Sequence, residues 1–63
     1  ERDIRAIYAG GSDALPLLRQ YGIDFIEVTP LERSSMPVSD AFFGSMRAVA
    51  ESGEYRLYEV PRE

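Results

Sequence analysis

Three carboxylates near the middle of the chain, Asp24, Glu27 and Glu32, are the first candidates for chemistry. Paired carboxylates perform acid–base and glycosidic reactions when a cleft drives their pKa values apart. Such a difference requires burial, and a chain of 63 residues leaves little room for a cleft. We therefore favour solvated surface charges over a catalytic pair.

A second candidate follows Thr29, directly after a predicted strand, where Pro30, Glu32 and Arg33 occur within one short stretch. Open α/β sheets bind ligands at the carboxyl ends of their strands, and an arginine there can hold a carboxylate or phosphate in a bidentate grip. These three residues are therefore the candidate contact residues. The alternative is a stiff corner with an exposed ion pair that contributes little to stability, and the corner is the interpretation we favour.

The turn Gly10-Gly11-Ser12 has the position of a phosphate-binding loop between a predicted strand and a predicted helix. Its spacing does not fit the dinucleotide-binding motif, and the chain has no lysine for a P-loop. Asp13 also places a negative charge where a phosphate would lie. A turn that leads into a helix cap is the better interpretation.

Composition excludes several classes of function. The sequence has no Cys, no His and no Lys, so thiolate chemistry and the usual metal ligand are absent, and we expect neither a metal nor a cofactor. The net charge of −4 argues against nucleic acid, which binds basic surfaces. A catalytic site within this chain is therefore disfavoured.

The chain is short enough for one domain, which we assign to residues 1–63. No run approaches the ~20 apolar residues of a membrane span. Because the sequence begins with Glu1 rather than Met, we expect it to be a piece of a longer protein.

The first half of the chain predicts strand, helix and strand. Residues 4–9 alternate loosely and indicate a strand, and residues 13–21 follow a helical apolar stripe. Asp13 is the expected N-cap and Gly22 the expected left-handed residue after the helix. Residues 23–28 predict a strand in the interior of the sheet, and so short a connection predicts parallel pairing with the first strand.

The second half leaves one element open. Residues 31–38 indicate a surface loop, and Ser39 or Asp40 could cap a helix. Residues 46–51 fit either a continuing helix or one arm of a hairpin that turns at Gly53, whereas residues 55–60 predict a strand. The aromatic side chains are expected to form the core, with any exposed remainder docking on a neighbouring protein part.

Residues 17–28, 30–33 and 51–60 together resemble the soluble C-terminal tail of YYY-type polytopic membrane proteins and of dolichyl-phosphate-mannose-type glycosyltransferase-like membrane proteins. The matching stretches read LLRQYGIDFIEV, PLER and ESGEYRLYEV. The sequence departs from that pattern in having Glu27, Thr29 and Ser52 where an aromatic or aliphatic residue, a Gly and an Asn are expected.

This resemblance implies a closing hairpin, and hence a strand over residues 46–51. It also implies an extracytoplasmic domain attached to a membrane-embedded body that carries any catalytic acid. The expected function is a non-catalytic accessory domain whose partner is the membrane-embedded part of its own chain, with a lipid-linked sugar or acceptor as candidate substrate of the parent. The alternative is a ligand- or protein-binding module of a soluble multidomain protein.

The predicted fold class is α/β (α+β), with one small mixed sheet in the order β-α-β-α-β-β. One helix packs on one face of that sheet, and the chain closes with a hairpin. Asp13, Gly22 and Gly53 are the predicted structural positions in this architecture.

Overall fold

The computed structural model describes residues 2–62, which form a three-stranded antiparallel sheet and helices. The predicted α/β class is therefore confirmed. The helices are α1 (Arg2–Ala9), α2 (Ala14–Gln20), α3 (Pro30–Ser35) and α4 (Asp40–Gly44), and the strands are β1 (Phe25–Val28), β2 (Arg47–Ser52) and β3 (Tyr55–Glu59).

The first element is a helix, so the predicted strand over residues 4–9 is wrong. Ile4, Ile7 and Tyr8 recur at the spacing of one helical face, and this spacing outweighs the loose alternation. Ile7 and Tyr8 are buried, whereas Ile4 is 46% exposed. The helix ends at Ala9 and Gly10 follows with a φ of +73°, a conformation that glycine adopts without strain.

The loss of that strand removes the predicted parallel crossover. β1 pairs antiparallel with β3, and the strand order β1-β3-β2 places β1 at an edge rather than in the interior. The sheet is therefore antiparallel, not mixed. Burial alternates along β1, because Ile26 and Val28 are buried while Phe25 and Glu27 are exposed, which is the pattern of a strand with one face toward the core.

The second helix agrees with its prediction. Asp13 occupies the N-cap position of α2, although its side chain makes no capping hydrogen bond. At the other end Gly22 has a φ of +67°. The Gly22 N–H donates to the Arg19 carbonyl at 3.1 Å and the Ile23 N–H donates to the Leu18 carbonyl at 2.9 Å, which together form a Schellman motif.

The closing hairpin is also as predicted. β2 and β3 pair antiparallel, with an irregularity in the register between Ala48 and Ala50, and Gly53 takes a φ of +60° in the turn. The open question over residues 46–51 is thus resolved in favour of a strand that begins at Arg47.

Helices and sheet meet around Phe43, which is only 1% exposed. Its ring centroid lies 5.6 Å from that of Tyr8 and 5.3 Å from that of Tyr58, so one side chain of α4 joins α1 to the central strand. The remaining buried members of this core are Ile7, Leu18, Ile26, Val28, Met46 and Val60. No helix within residues 2–62 is long and apolar enough to cross a bilayer.

A close approach at Gly10 holds α4 against the end of α1. A Cβ atom at Gly10 would lie 2.6 Å from the Cβ of Phe42 and 2.7 Å from the Cβ of Ser39. The Ser39 N–H donates to the Tyr8 carbonyl at 2.9 Å across the same contact. Only glycine fits there, because both the contact distance and the positive φ exclude a side chain.

Replacing Gly10 with Ala is expected to lower the free energy of unfolding by roughly 2–4 kcal/mol, since backbone strain adds to a steric clash. Gly22→Ala is the matched control: φ is also positive there, but nothing lies within 4 Å of the added Cβ. It should cost only about 1 kcal/mol. Urea denaturation of both variants measures the difference, and equal losses would contradict the packing role of Gly10.

Candidate functional site

The stretch after β1 is a capped helix rather than the predicted loop. Thr29 is the N-cap of α3: its Oγ1 accepts from the Leu31 N–H at 3.2 Å, and its N–H donates to Glu32 Oε1 at 2.7 Å. The Thr29 hydroxyl also donates to the Glu32 carboxylate. Pro30 occupies the first helical position, where its missing N–H is not needed. The prediction of a loop over residues 31–38 is therefore wrong for residues 31–35.

A sequence signal for this helix exists and was missed. Thr29 and Glu32 have the spacing of a capping box, and Pro30 stands where helices often begin. Pro30 was predicted only as part of a contact site or of a stiff corner. It lies two residues after the end of β1, and it opens the next element.

The capping box occupies the Glu32 carboxylate. Partial burial acts to raise its pKa, but hydrogen bonds from the Thr29 hydroxyl and the Thr29 N–H outweigh burial and hold the pKa of Glu32 below its ordinary value. Glu32 therefore remains ionised as a helix cap and does not extend toward a ligand.

Arg33 pairs with Asp40 rather than with the neighbouring Glu32. Its Nη2 lies 2.8 Å from the Asp40 carboxylate, and the two side chains are 41% and 77% exposed. An ion pair so accessible to water contributes little to stability, but it ties the end of α3 to the start of α4.

The same short helix presents an apolar side chain to solvent. α3 has no buried residue, and Leu31 is 70% exposed. Pro30, Leu31 and Arg33 thus form an exposed corner, which we name the α3 corner. The capping box holds the start of its backbone, and the exposed ion pair to Asp40 adds little.

The other two candidate carboxylates, Asp24 and Glu27, do not form a pair. Asp24 accepts from Arg62 at 2.9 Å in an exposed pair, and Glu27 points from the exposed face of β1. Within residues 2–62, no three acidic side chains converge in a way that could hold a metal ion. The Gly10-Gly11-Ser12 turn connects two helices, so its position is not that of a strand-to-helix phosphate loop.

An apolar groove lies beside the exposed edge of β1, on the side of α1. Two adjoining depressions of about 300 Å³ and about 360 Å³ share Ile4, Ile7 and Ile23 in their walls. Tyr21 and Phe25 complete the lining, and these two aromatic side chains are 54% and 52% exposed. We name this feature, formed by those five residues, the β1 groove.

The groove was not predicted, because residues 4–9 were interpreted as a strand and β1 as an interior strand. The helical spacing of Ile4 and Ile7 was the available signal. The expectation that aromatic residues build the core holds for Tyr8 and Phe43.

Tyr8 closes the base of the groove. Its hydroxyl donates to the Glu27 carbonyl at 2.7 Å. Burial, followed by the negative charges of Glu32 and Glu27, raises the pKa of Tyr8 from 10.0 to about 12. The phenol therefore stays neutral and acts as a hydrogen-bond donor that fixes β1 to α1.

Comparisons with protein-family models, with curated proteins and with solved structures find no match to this chain.

Acid should weaken the α3 cap. Because the folded-state pKa of Glu32 is lowered, its stabilisation is complete above the ordinary value of 4.5 and is lost as pH falls through the lower folded value. Glu32→Gln should cost roughly 0.3–1 kcal/mol at neutral pH, the usual size of a screened charge effect at a helix N-terminus, and reduce the acid dependence of Tm. Glu54→Gln, in the hairpin turn, serves as control, and identical profiles for both variants would refute the assignment.

Alkali should loosen the contact of Tyr8 with β1. Because burial raises the folded-state pKa to about 12, the stabilisation is complete below pH 10 and is lost between pH 10 and pH 12. Tyr8→Phe should lower Tm at neutral pH but flatten its fall in that alkaline window, whereas Tyr55→Phe should not. An unchanged alkaline slope in Tyr8→Phe would contradict this role.

Proposed function

We propose that this chain is a non-catalytic accessory domain of a longer protein and that it docks on another part of that protein through the α3 corner. The observation that carries the proposal is Leu31, which is 70% exposed on a helix with no buried residue. Pro30, also exposed, lies next to Leu31, and a contiguous exposed apolar patch with polar residues around it marks an interaction surface.

The way α3 is held supports a presenting role. A six-residue helix is too short to be stable by itself. Here the Thr29–Glu32 capping box holds its first turn, although it buries no side chain of its own. A constrained surface loses little conformational entropy on binding, which favours association.

The positions of the polar residues support a structural rather than a catalytic role. Glu32 caps α3, Arg33 is linked to Asp40, and Asp24 is linked to Arg62. The side chains best suited to chemistry are thus engaged in separate contacts on the surface.

We further propose what kind of protein this chain belongs to. The resemblance of residues 17–28, 30–33 and 51–60 to the tails of YYY-type and glycosyltransferase-like membrane proteins suggests a polytopic parent with this domain on the extracytoplasmic side. The α3 corner would then contact the membrane-embedded part or an acceptor bound by it. The hairpin of β2 and β3 agrees with the one that this resemblance implies.

A photo-crosslinking amino acid at position 31 of the full-length gene product tests the docking. We expect a crosslink to a segment outside residues 1–63 of the same chain, identified by mass spectrometry. Position 20, exposed at the end of α2, is the matched control and should give none. No crosslink from position 31, or equal crosslinking from both positions, would refute the proposal.

Leu31→Ser separates docking from stability. Because Leu31 is largely exposed, the substitution should change the free energy of unfolding by less than about 0.5 kcal/mol. It should nevertheless reduce crosslinking from a neighbouring probe at position 34 by roughly tenfold, since an apolar anchor at an interface contributes more than about 1 kcal/mol. Full crosslinking in the Leu31→Ser variant would exclude this side chain as an anchor.

A further inference from the structure

The edge of β1 has the hydrogen-bonding phase needed to accept another strand. The Val60 N–H donates to the Asp24 carbonyl at 2.8 Å, and Ile26 is opposite Tyr58 in the register. In an antiparallel ladder, backbone groups turn alternately toward and away from the partner strand. Phe25 and Glu27 therefore direct their N–H and carbonyl groups away from β3.

Tyr8 agrees with this phase, since its hydroxyl reaches the Glu27 carbonyl from the outer side of β1. A carbonyl oxygen has two lone pairs, so this bond does not exclude a second donor. The Phe25 N–H, the Phe25 carbonyl and the Glu27 N–H complete a short row of main-chain groups along an edge with no strand neighbour in residues 2–62.

The β1 groove lies directly beside that row. An added strand would direct alternate side chains to opposite faces of the sheet. One set would enter the apolar groove between Ile4, Ile7 and Ile23, and the other set would lie beside the exposed Phe25 and Glu27. The groove thus has an apolar pocket next to main-chain donors at a strand edge, which is the combination found in strand-addition sites.

The charges beside the β1 groove indicate which kind of strand could bind there. Two acidic side chains border the groove in the described part of the chain: Asp3 lies on the α1 side and accepts a hydrogen bond from the Tyr21 hydroxyl, whereas Glu27 lies on the exposed face of β1. The whole chain carries a net charge of −4. A second copy of this chain would place its own Glu27 against the same edge, and such like-charge contacts are unfavourable.

We propose that β1 binds an extended peptide segment by strand addition, and that this segment alternates apolar residues with Arg or Lys. The apolar residues occupy the β1 groove, the basic residues lie on the opposite face beside Glu27, and main-chain hydrogen bonds to Phe25 and Glu27 set the register. The surface differs from the α3 corner, so this inference does not depend on the proposed accessory function.

The test titrates the isotope-labelled chain with an acetylated, amidated hexapeptide of alternating Val and Arg and follows backbone amide shifts. We expect saturable shifts at Phe25 and Glu27 and in the residues of the β1 groove. The same peptide with Glu in place of Arg should bind at least about tenfold more weakly, since it reverses the charge contacts. Shifts absent at millimolar peptide, confined to other surfaces, or equal for both peptides would overturn the proposal.

A pair of variants isolates the main-chain bonds. Phe25→Ala removes the side chain alone, whereas Phe25→Pro also removes the outward N–H at the first residue of an edge strand, where proline is tolerated. The proline variant should bind the Arg peptide about three- to tenfold more weakly than the alanine variant. Equal binding by two folded variants would exclude strand addition.

Ile4→Ser tests the apolar contact with the peptide without altering β1. Ile4 is partly exposed, so the fold should tolerate the change. The variant should weaken binding of the Arg peptide by about threefold or more, because it removes apolar surface from the groove. Unchanged affinity would show that the apolar residues of the peptide lie elsewhere and would overturn the proposed pose.

Discussion

The packing of Phe43 against Tyr8 and Tyr58 is the interaction on which the rest of this small structure depends. It joins α1, α4 and the central strand in one aromatic cluster, with ring centroids 5.6 Å and 5.3 Å apart. The contact requires that α4 approach the end of α1 closely, and the missing side chain of Gly10 allows this. This contact fixes α1 so that Tyr8 reaches the edge of β1, and the β1 groove lies between α1 and β1.

Local signals were sufficient to predict the elements whose ends are specified by their own residues. Gly22 ends α2 with a Schellman motif, and Gly53 turns the hairpin, so both elements lie where the sequence indicated. The prediction of a strand for the first element was wrong because the apolar residues within 4–9 fit both the spacing of a strand and that of a helix. Burial of Ile7 and Tyr8 on one helical face decides between them, and that burial depends on Phe43, which is distant in sequence.

The two candidate surfaces differ in how far the sequence could reveal them. The α3 corner was singled out through Pro30, Glu32 and Arg33, and the spacing of Thr29 and Glu32 could also have revealed the capped helix. The partner of Arg33 could not be read from the sequence, because the ion pair joins two helices whose relative position is set by tertiary packing. The β1 groove requires both a helical first segment and an edge position for β1, and neither follows from local patterns.

The α3 corner and the β1 groove both form because the core lies on one face of the sheet only. The short elements around that core are held by helix caps and by contacts at the sheet edge. The central claim is that the α3 corner docks within a longer protein. Amide hydrogen exchange, measured on residues 1–63 alone and on the full-length gene product, tests it most directly. We predict slower exchange at residues 31–35 in the full-length product and unchanged exchange at the end of α2 around Gln20. Equal exchange at residues 31–35 in both forms would contradict the account.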